Sequence, residues 1–205
     1  MKLAILATLA ASAAAFAPSK VAQTSTALNA FENELGAQQP LGFWDPLGLL
    51  DNADQERFDR LRYVELKHGR IAMLAVLGHI TTASGHTLGG AIDKAGTQFS
   101  DIHTGWVGTT QVPVEGALQI LAFVGFLELF VMKDVKGTGE FPGDFRNGID
   151  FGWSGYSEEE KMEKRAIELN NGRAAQMGIL GLMVHEKISG DPYVINELLG
   201  YHTPV

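Results

Sequence analysis

Residues Glu65-Leu66-Lys67-His68-Gly69-Arg70-Ile71-Ala72 return 103 positions later as Glu168-Leu169-Asn170-Asn171-Gly172-Arg173-Ala174-Ala175. Each copy runs straight into an apolar stretch, Ile71 to Ile80 in the first and Ala174 to Val184 in the second. The repeat therefore ties a carboxylate, a neutral lone-pair donor and an arginine to helices of membrane-grade hydropathy. Charged groups in lipid need compensation. Glu65 and Arg70 are five positions apart, about 140° round a helix, whereas side chains that meet on one helix lie three or four apart. Exchange between the copies, Glu65 with Arg173 and Glu168 with Arg70, cancels all four charges. A guanidinium fork matches a carboxylate and can leave an oxygen lone pair free for a metal.

Three residues after each glutamate comes His68 or Asn171. Imidazole and carboxamide are not interchangeable as acids, bases or nucleophiles; they share only a neutral lone pair. The magnesium of a chlorophyll, held by four ring nitrogens and short of one axial ligand, needs no more than that. Gly69 and Gly172 follow directly, and a bare helix surface beside the ligand would accommodate a flat macrocycle.

The chain of 205 residues is 45% hydrophobic, has mean hydropathy close to zero and carries a net charge of −8. The charge argues against a nucleic-acid partner. Cysteine is absent, which removes disulfides, thiolate metal sites and cysteine nucleophiles. Met1-Lys2 followed by the alanine-rich run Leu3 to Ala15 has the layout of a secretory signal, too short to span a bilayer. Ala17 to Ala30 is rich in Ser, Thr and Ala without an acidic residue, as transit segments are. Residues 1–30 are expected to form a bipartite leader that is removed, leaving 31–205 as one membrane domain.

Three helices are expected, from about Ala53 to Ala83, Val114 to Lys133 and Glu158 to Lys187. The middle one is apolar all round. The outer two begin with charged turns and suit helices that start in water and enter the membrane at a tilt. Glu158, Glu159 and Glu160 favour a helix N-terminus. Ser84 to Thr110 reads as an extramembrane loop. Aromatic turns precede both outer helices, Phe43-Trp44-Asp45-Pro46-Leu47-Gly48 before the first and the segment from Phe141 to Trp153 before the third. Phe43, Trp44, Phe151 and Trp153 are placed either as interfacial anchors or as pigment contacts. With an odd number of spans the outer helices run in the same sense, related by a two-fold axis along the membrane normal. Gly69, Ala72, Ala75 and Gly78 face Gly172, Ala175, Gly178 and Gly181 as small residues for close approach.

The fold expected is all-α: three transmembrane helices, the first and third a crossed pseudo-two-fold repeat, and a short amphipathic segment near the C-terminus. The two motifs resemble the paired helices of the light-harvesting chlorophyll-binding superfamily. The leader, with Ala15-Phe16-Ala17-Pro18, resembles those of proteins sent to diatom plastids, and the whole is similar to the fucoxanthin–chlorophyll a/c proteins. That resemblance implies Glu65, His68, Glu168 and Asn171 as magnesium ligands, with Arg70 and Arg173 as ion-pair partners. It also implies His185, fourteen positions after Asn171 and so about 21 Å along the helix, and Glu128 in the middle helix. The arginine that this family places three residues after that glutamate is here Val131, which leaves the countercharge of Glu128 unassigned. Gln119, Gln176 and His79 are weaker candidates; His79 reads first as a satisfied core histidine, and His185 has the alternative of a C-terminal helix cap. His86, His103 and His202 have no readable role.

The resemblance further implies chlorophyll a, chlorophyll c, fucoxanthin and diadinoxanthin as cofactors. Thylakoid lipids, other antenna subunits in an oligomer and photosystem I or II are the implied partners. The function implied is a light-harvesting antenna in the plastid thylakoid membrane, not an enzyme. A photoprotective quenching relative and a small transporter with a polar path stand as alternatives. A metal-dependent enzyme lacks a histidine cluster or a nucleophile–base pair.

Overall fold

The computed structural model describes residues 31–189, and all its regular elements there are helical. The leader and the C-terminal amphipathic segment lie outside the described residues. Helix α1 spans Gln55–Ala83, α2 Gly105–Gln111, α3 Val114–Phe126 and α4 Glu158–Ser189. The first helix starts two residues later than expected because Asp54 is its N-cap: the carboxylate accepts from Arg57 N at 2.9 Å, satisfying one of the otherwise orphaned first-turn donors. The N-terminus of α4 is a capping box. Glu160 N donates to Ser157 Oγ and Ser157 N donates back to Glu160 Oε2, the reciprocal pairing that a Ser-x-x-Glu sequence encodes. The acidic run therefore contributes a specific bond at Glu160 beside its dipole effect.

The middle helix does not continue regularly to Lys133. After Phe126 it widens into a π turn, Leu127–Val131, closed by Met132 N on Leu127 O at 2.7 Å. The expected loop 84–110 also holds more than turns. A 3-10 turn at Phe99–Asp101 leads to α2, whose N-terminal amides at Trp106 and Val107 donate to the carboxylate of Glu186 on α4. The seven residues Gly-Trp-Val-Gly-Thr-Thr-Gln show no helical period. The capping group lies some eighty positions away, where a local reading does not look.

The outer helices cross at Gly69 and Gly172. A Cβ placed on Gly69 would lie 2.9 Å from Gly172 Cα, and one on Gly172 would lie 3.0 Å from Gly69 Cα. These glycines are buried against each other, so they serve helix approach and not clearance for a macrocycle, contrary to that expectation. The small-residue ladder is shorter than expected. A Cβ on Gly178 would still lie 3.9 Å from Val76, but one on Gly78 or Gly181 would meet nothing within 4 Å, because crossed helices diverge away from their crossing point.

Leu66 and Leu169, equivalent in the repeat, are buried at this crossing. Elsewhere the apolar side chains point outward: Ile71, Leu74 and Leu77 on α1, Leu118, Leu121 and Phe123 on α3, and Met177 and Leu180 on α4 are all more than half exposed. Apolar surface of this extent needs cover other than water. By hydropathy and length, Val114–Val131 alone among the described residues qualifies as a membrane span, with mean hydropathy 1.8 over 18 residues. At 1.5 Å per residue, α1 with 29 residues and α4 with 32 reach roughly 44 and 48 Å, longer than a hydrocarbon core of about 30 Å. Their polar ends dilute the average. The outer pair pack on each other and α2 packs on α4, while α3 packs closely on neither outer helix.

Candidate functional site

Two exchanged ion pairs lie at the helix crossing. Arg173 Nε is 2.7 Å from Glu65 Oε1, and Arg70 Nε is 2.6 Å from Glu168 Oε1. Each arginine spends a second donor on a loop carbonyl: Arg173 Nη1 donates to Gly36 O and Arg70 Nη1 to Gly143 O, both at 2.8 Å. The two glycines have φ of +101° and +88°, a backbone region open to glycine. A Cβ on Gly36 would sit 2.6 Å from Leu169, and one on Gly143 3.2 Å from Leu66. The two-fold arrangement thus takes in Gly36 and Gly143, although these glycines are out of the 103-residue register of the repeat.

Around each ion pair the surroundings differ. Arg62 Nη1 lies 2.7 Å from Glu65 Oε2, so both oxygens of Glu65 are engaged. Its repeat equivalent, Arg165, instead stands over the Phe141 ring at 4.2 Å, and Glu168 Oε2 accepts no hydrogen bond among the described residues. Arg62 and Arg165 are themselves 103 apart. Extending the repeat three residues upstream would have found them.

His68 and Asn171 are exposed one residue before the crossing glycines. His68 Nδ1 lies 2.8 Å from Val64 O, and Asn171 Nδ2 donates to Ile167 O at 3.0 Å. A carbonyl only accepts, so Nδ1 carries the imidazole proton and the amide nitrogen faces inward. What remains directed away from the helix is a lone pair in each case, His68 Nε2 and Asn171 Oδ1. A second hydrogen bond that fixes the tautomer is the usual support of a metal-binding imidazole.

Glu128 sits in the π turn and forms an ion pair with Lys67 of α1, which supplies the countercharge that Val131 does not. Gln176 is turned inward: its Nε2 donates to Glu65 O at 3.2 Å, which makes it a tie across the crossing and withdraws its amide from the outward face shared by His68 and Asn171. Gln119 is exposed on α3, His79 half-buried on α1, and His185 half-buried near the end of α4.

Two grooves flank the crossing. One of about 620 Å³ is lined by Phe43, Trp44, Arg62, Glu65, Arg173 and Gln176. The other, of about 370 Å³, is lined by Phe151, Trp153, Arg70, Gly143, Arg165 and Glu168. Trp153 Nε1 donates to Glu140 at 2.9 Å and its ring lies under Arg146, whereas Trp44 and Phe151 are mostly exposed. The loop of the second groove is braced by Asp144, whose carboxylate takes two hydrogen bonds from the Arg146 guanidinium, at 2.9 and 2.6 Å. Those bonds hold the Asp144 carboxyl down to about 2.

No cluster of three or more acidic, histidine or cysteine side chains able to cage a metal occurs among the described residues. The donors stand singly: a carboxylate oxygen, an imidazole nitrogen, an amide oxygen. Such a set fits a metal that brings most of its own ligands and misfits a protein-caged ion. Among the described residues the four charges at the crossing, Glu65, Arg70, Glu168 and Arg173, are each held in a pair.

The family model described as "Chlorophyll A-B binding protein" matches residues 31–187. The fucoxanthin-chlorophyll a-c binding protein of Trieres chinensis is 64% identical over 203 residues, covering 97% of this chain and all of that relative. Fucoxanthin-chlorophyll a-c binding protein A of Phaeodactylum tricornutum is 61% identical over 191 residues, 92% of this chain and 97% of its own. A Macrocystis pyrifera relative, fucoxanthin-chlorophyll a-c binding protein B, is 60% identical over 173 residues, 83% of this chain and 79% of its own. These three relatives are named as chloroplastic.

Proposed function

We infer the mode of action from the premise that this chain belongs to the chlorophyll A-B binding protein family: it is a light-harvesting antenna protein of the chloroplast thylakoid membrane. Its pigments are chlorophyll a, chlorophyll c and fucoxanthin, with diadinoxanthin as a further carotenoid. Helices α1, α3 and α4 all span the bilayer, the outer two tilted and crossed. Residues 1–30 direct the chain to the plastid and are removed. The domain works in an oligomer with other antenna subunits that feeds photosystem I or II.

The chlorophylls supply absorption and excitation transfer when bound; the chain's residues hold and orient them. The observation that carries this reading is the matched tether of His68 and Asn171. Each side chain commits a donor nitrogen to the helix and presents one neutral acceptor atom, His68 Nε2 or Asn171 Oδ1, in a fixed direction. Glu168 presents Oε2 while Arg70 cancels its charge. Glu65 presents Oε2 only if Arg62 swings away. Glu128 and His185 complete the ligand set, with Gln119 and His79 as weaker members. Phe43 and Trp44 in one groove and Phe151 and Trp153 in the other meet carotenoid ends. No step in this work makes or breaks a bond, so the protein is a binder and not an enzyme.

The test is the pigment content and visible spectrum of the mature chain purified in mild detergent. Bands of chlorophyll a, chlorophyll c and a blue-green-absorbing carotenoid are expected. In the His68→Leu and Asn171→Leu variants each should lose its own chlorophyll. A colourless native protein, or variants with unchanged pigment content, would overturn the reading.

A further inference from the structure

The Lys67–Glu128 pair links the crossed helices to a helix that otherwise stands apart. Glu128 lies in the π turn Leu127–Val131, and single wide turns of this kind inside α-helices recur at functional positions. The residue three places on, which would share its face, is Val131. The cation comes from elsewhere: Lys67 Nζ reaches Glu128 Oε2 from α1.

Lys67 is equipped for a fixed position. Its side chain is 16% exposed, and its ammonium lies 5.0 Å from the Tyr63 ring centroid and 5.7 Å from that of Phe145. Aromatic faces at that range attract a cation and restrict where it points. The repeat shows that this is no general feature of the motif. The equivalent of Lys67 is Asn170, whose amide donates to Gln38 Oε1 at 2.7 Å, in the N-terminal loop. One copy of the motif therefore addresses the middle helix and the other a loop. The break in symmetry falls on the residue just before each lone-pair donor, His68 and Asn171.

The paired carboxylate keeps one oxygen. Among the described residues Glu128 Oε1 accepts no hydrogen bond, the same half-engaged state as Glu168. We propose that Lys67 is the positioning residue for Glu128: it neutralises Oε2 from a neighbouring helix, leaves Oε1 as the oxygen that would hold a chlorophyll magnesium, and by the same contact docks α3 against the crossed pair. The proposal rests on the reading of Glu128 as a magnesium ligand. It adds that the ligand is completed in trans, so pigment binding on α3 and the placement of α3 are one event.

The mature, pigment-loaded chain in detergent provides the test. Because the sequence has no cysteine, Leu74→Cys on α1 and Leu121→Cys on α3, both exposed, take spin labels at those sites alone. Pulsed electron resonance then reads the spacing of the two helices beside the pigment count. Lys67→Met should lose the same chlorophyll that Glu128→Leu loses and broaden the distance distribution; Lys67→Arg should preserve both. The charge-exchanged double variant Lys67→Glu with Glu128→Lys should restore the distance but not the pigment, since an ammonium has no lone pair to offer. A full pigment complement in Lys67→Met, with loss in Glu128→Leu, overturns the role of Lys67 and leaves Glu128 a ligand. A full complement in Glu128→Leu overturns the ligand reading and the proposal with it. A distance that the double variant fails to restore overturns the docking role.

Discussion

His68 and Asn171, 103 positions apart, are held by the same bond: each donates to the backbone carbonyl four residues earlier, Val64 and Ile167, which are themselves repeat equivalents. Two chemically different side chains thereby present one feature, a neutral lone pair of fixed direction. If that is all the site requires, the two are exchangeable. His68→Asn and Asn171→His should each retain the local chlorophyll, with a small shift of its red absorption band, whereas leucine at either position should remove it. Pigment extraction and quantitation of the purified variants decides this. Loss in both conservative exchanges would mean that the site reads more than a lone pair.

The two ion pairs are alike in distance but not in reserve. Removing Arg173 leaves Glu65 its second partner, Arg62, at 2.7 Å. Removing Arg70 leaves Glu168 with no hydrogen-bonded cation, because Arg165 stands over the Phe141 ring and acts on Glu168 only through its charge. Stranding a partly buried carboxylate costs about 3 kcal/mol. Arg70→Leu should therefore destabilise by that order and Arg173→Leu by about half as much, with the double variant Arg62→Leu/Arg173→Leu approaching the Arg70 value. Thermal loss of pigment circular dichroism measures the ranking. Equal losses for the two single variants would show that Arg62 supplies nothing.

Glycine at the crossing and glycine beyond it should behave oppositely. At Gly69 and Gly172 an added Cβ meets opposing backbone at 2.9–3.0 Å, and backbone cannot step aside as a flexible side chain can. Alanine there should push the helices apart at a cost of about 1–3 kcal/mol and weaken both ion pairs together. At Gly78 and Gly181 nothing lies within 4 Å, so alanine should be neutral, or stabilising by up to about 1 kcal/mol through helix propensity. Midpoints of thermal pigment release for the four variants separate the classes.

What could be read in advance follows from range along the chain. The bounds of α1 and α4 and the exchanged charges were legible because a repeat supplies its own internal comparison: Glu65 and Arg70 mismatch on one helix, and the second copy solves the mismatch. Contacts from outside the repeat were not legible. Gly36 and Gly143 hold the arginines from loops whose sequences share little beyond the glycine. Glu186 caps α2 from some eighty residues away. The reading of Gly69 and Gly172 as clearance for a ring failed because spacing gives a residue's angle on its own helix but not what faces it. The family pattern places the countercharge of Glu128 three residues on along its own helix, where this chain has Val131; the cation sits on α1.

Asp144 gives the loop beside the second groove a defined acid limit. The Arg146 guanidinium and the backbone amides of Arg146 and Glu140 hold its carboxyl at about 2, against an ordinary value of 3.8. A carboxyl depressed in the folded state stabilises the fold above its unfolded value. That contribution is fully present above 3.8, fades as pH falls, and is gone below about 2. A difference of this size is worth about 2 kcal/mol at neutral pH. The same loop presents Gly143 O to Arg70, so its loosening reaches the Arg70–Glu168 pair. Asp144→Asn should lower stability by roughly that amount at pH 7 and by progressively less toward pH 2, where it and the native chain converge. Thermal midpoints across pH 2–7 test this; a constant gap across that range would show that packing of the loop, and not the charge on Asp144, is what the substitution disturbs.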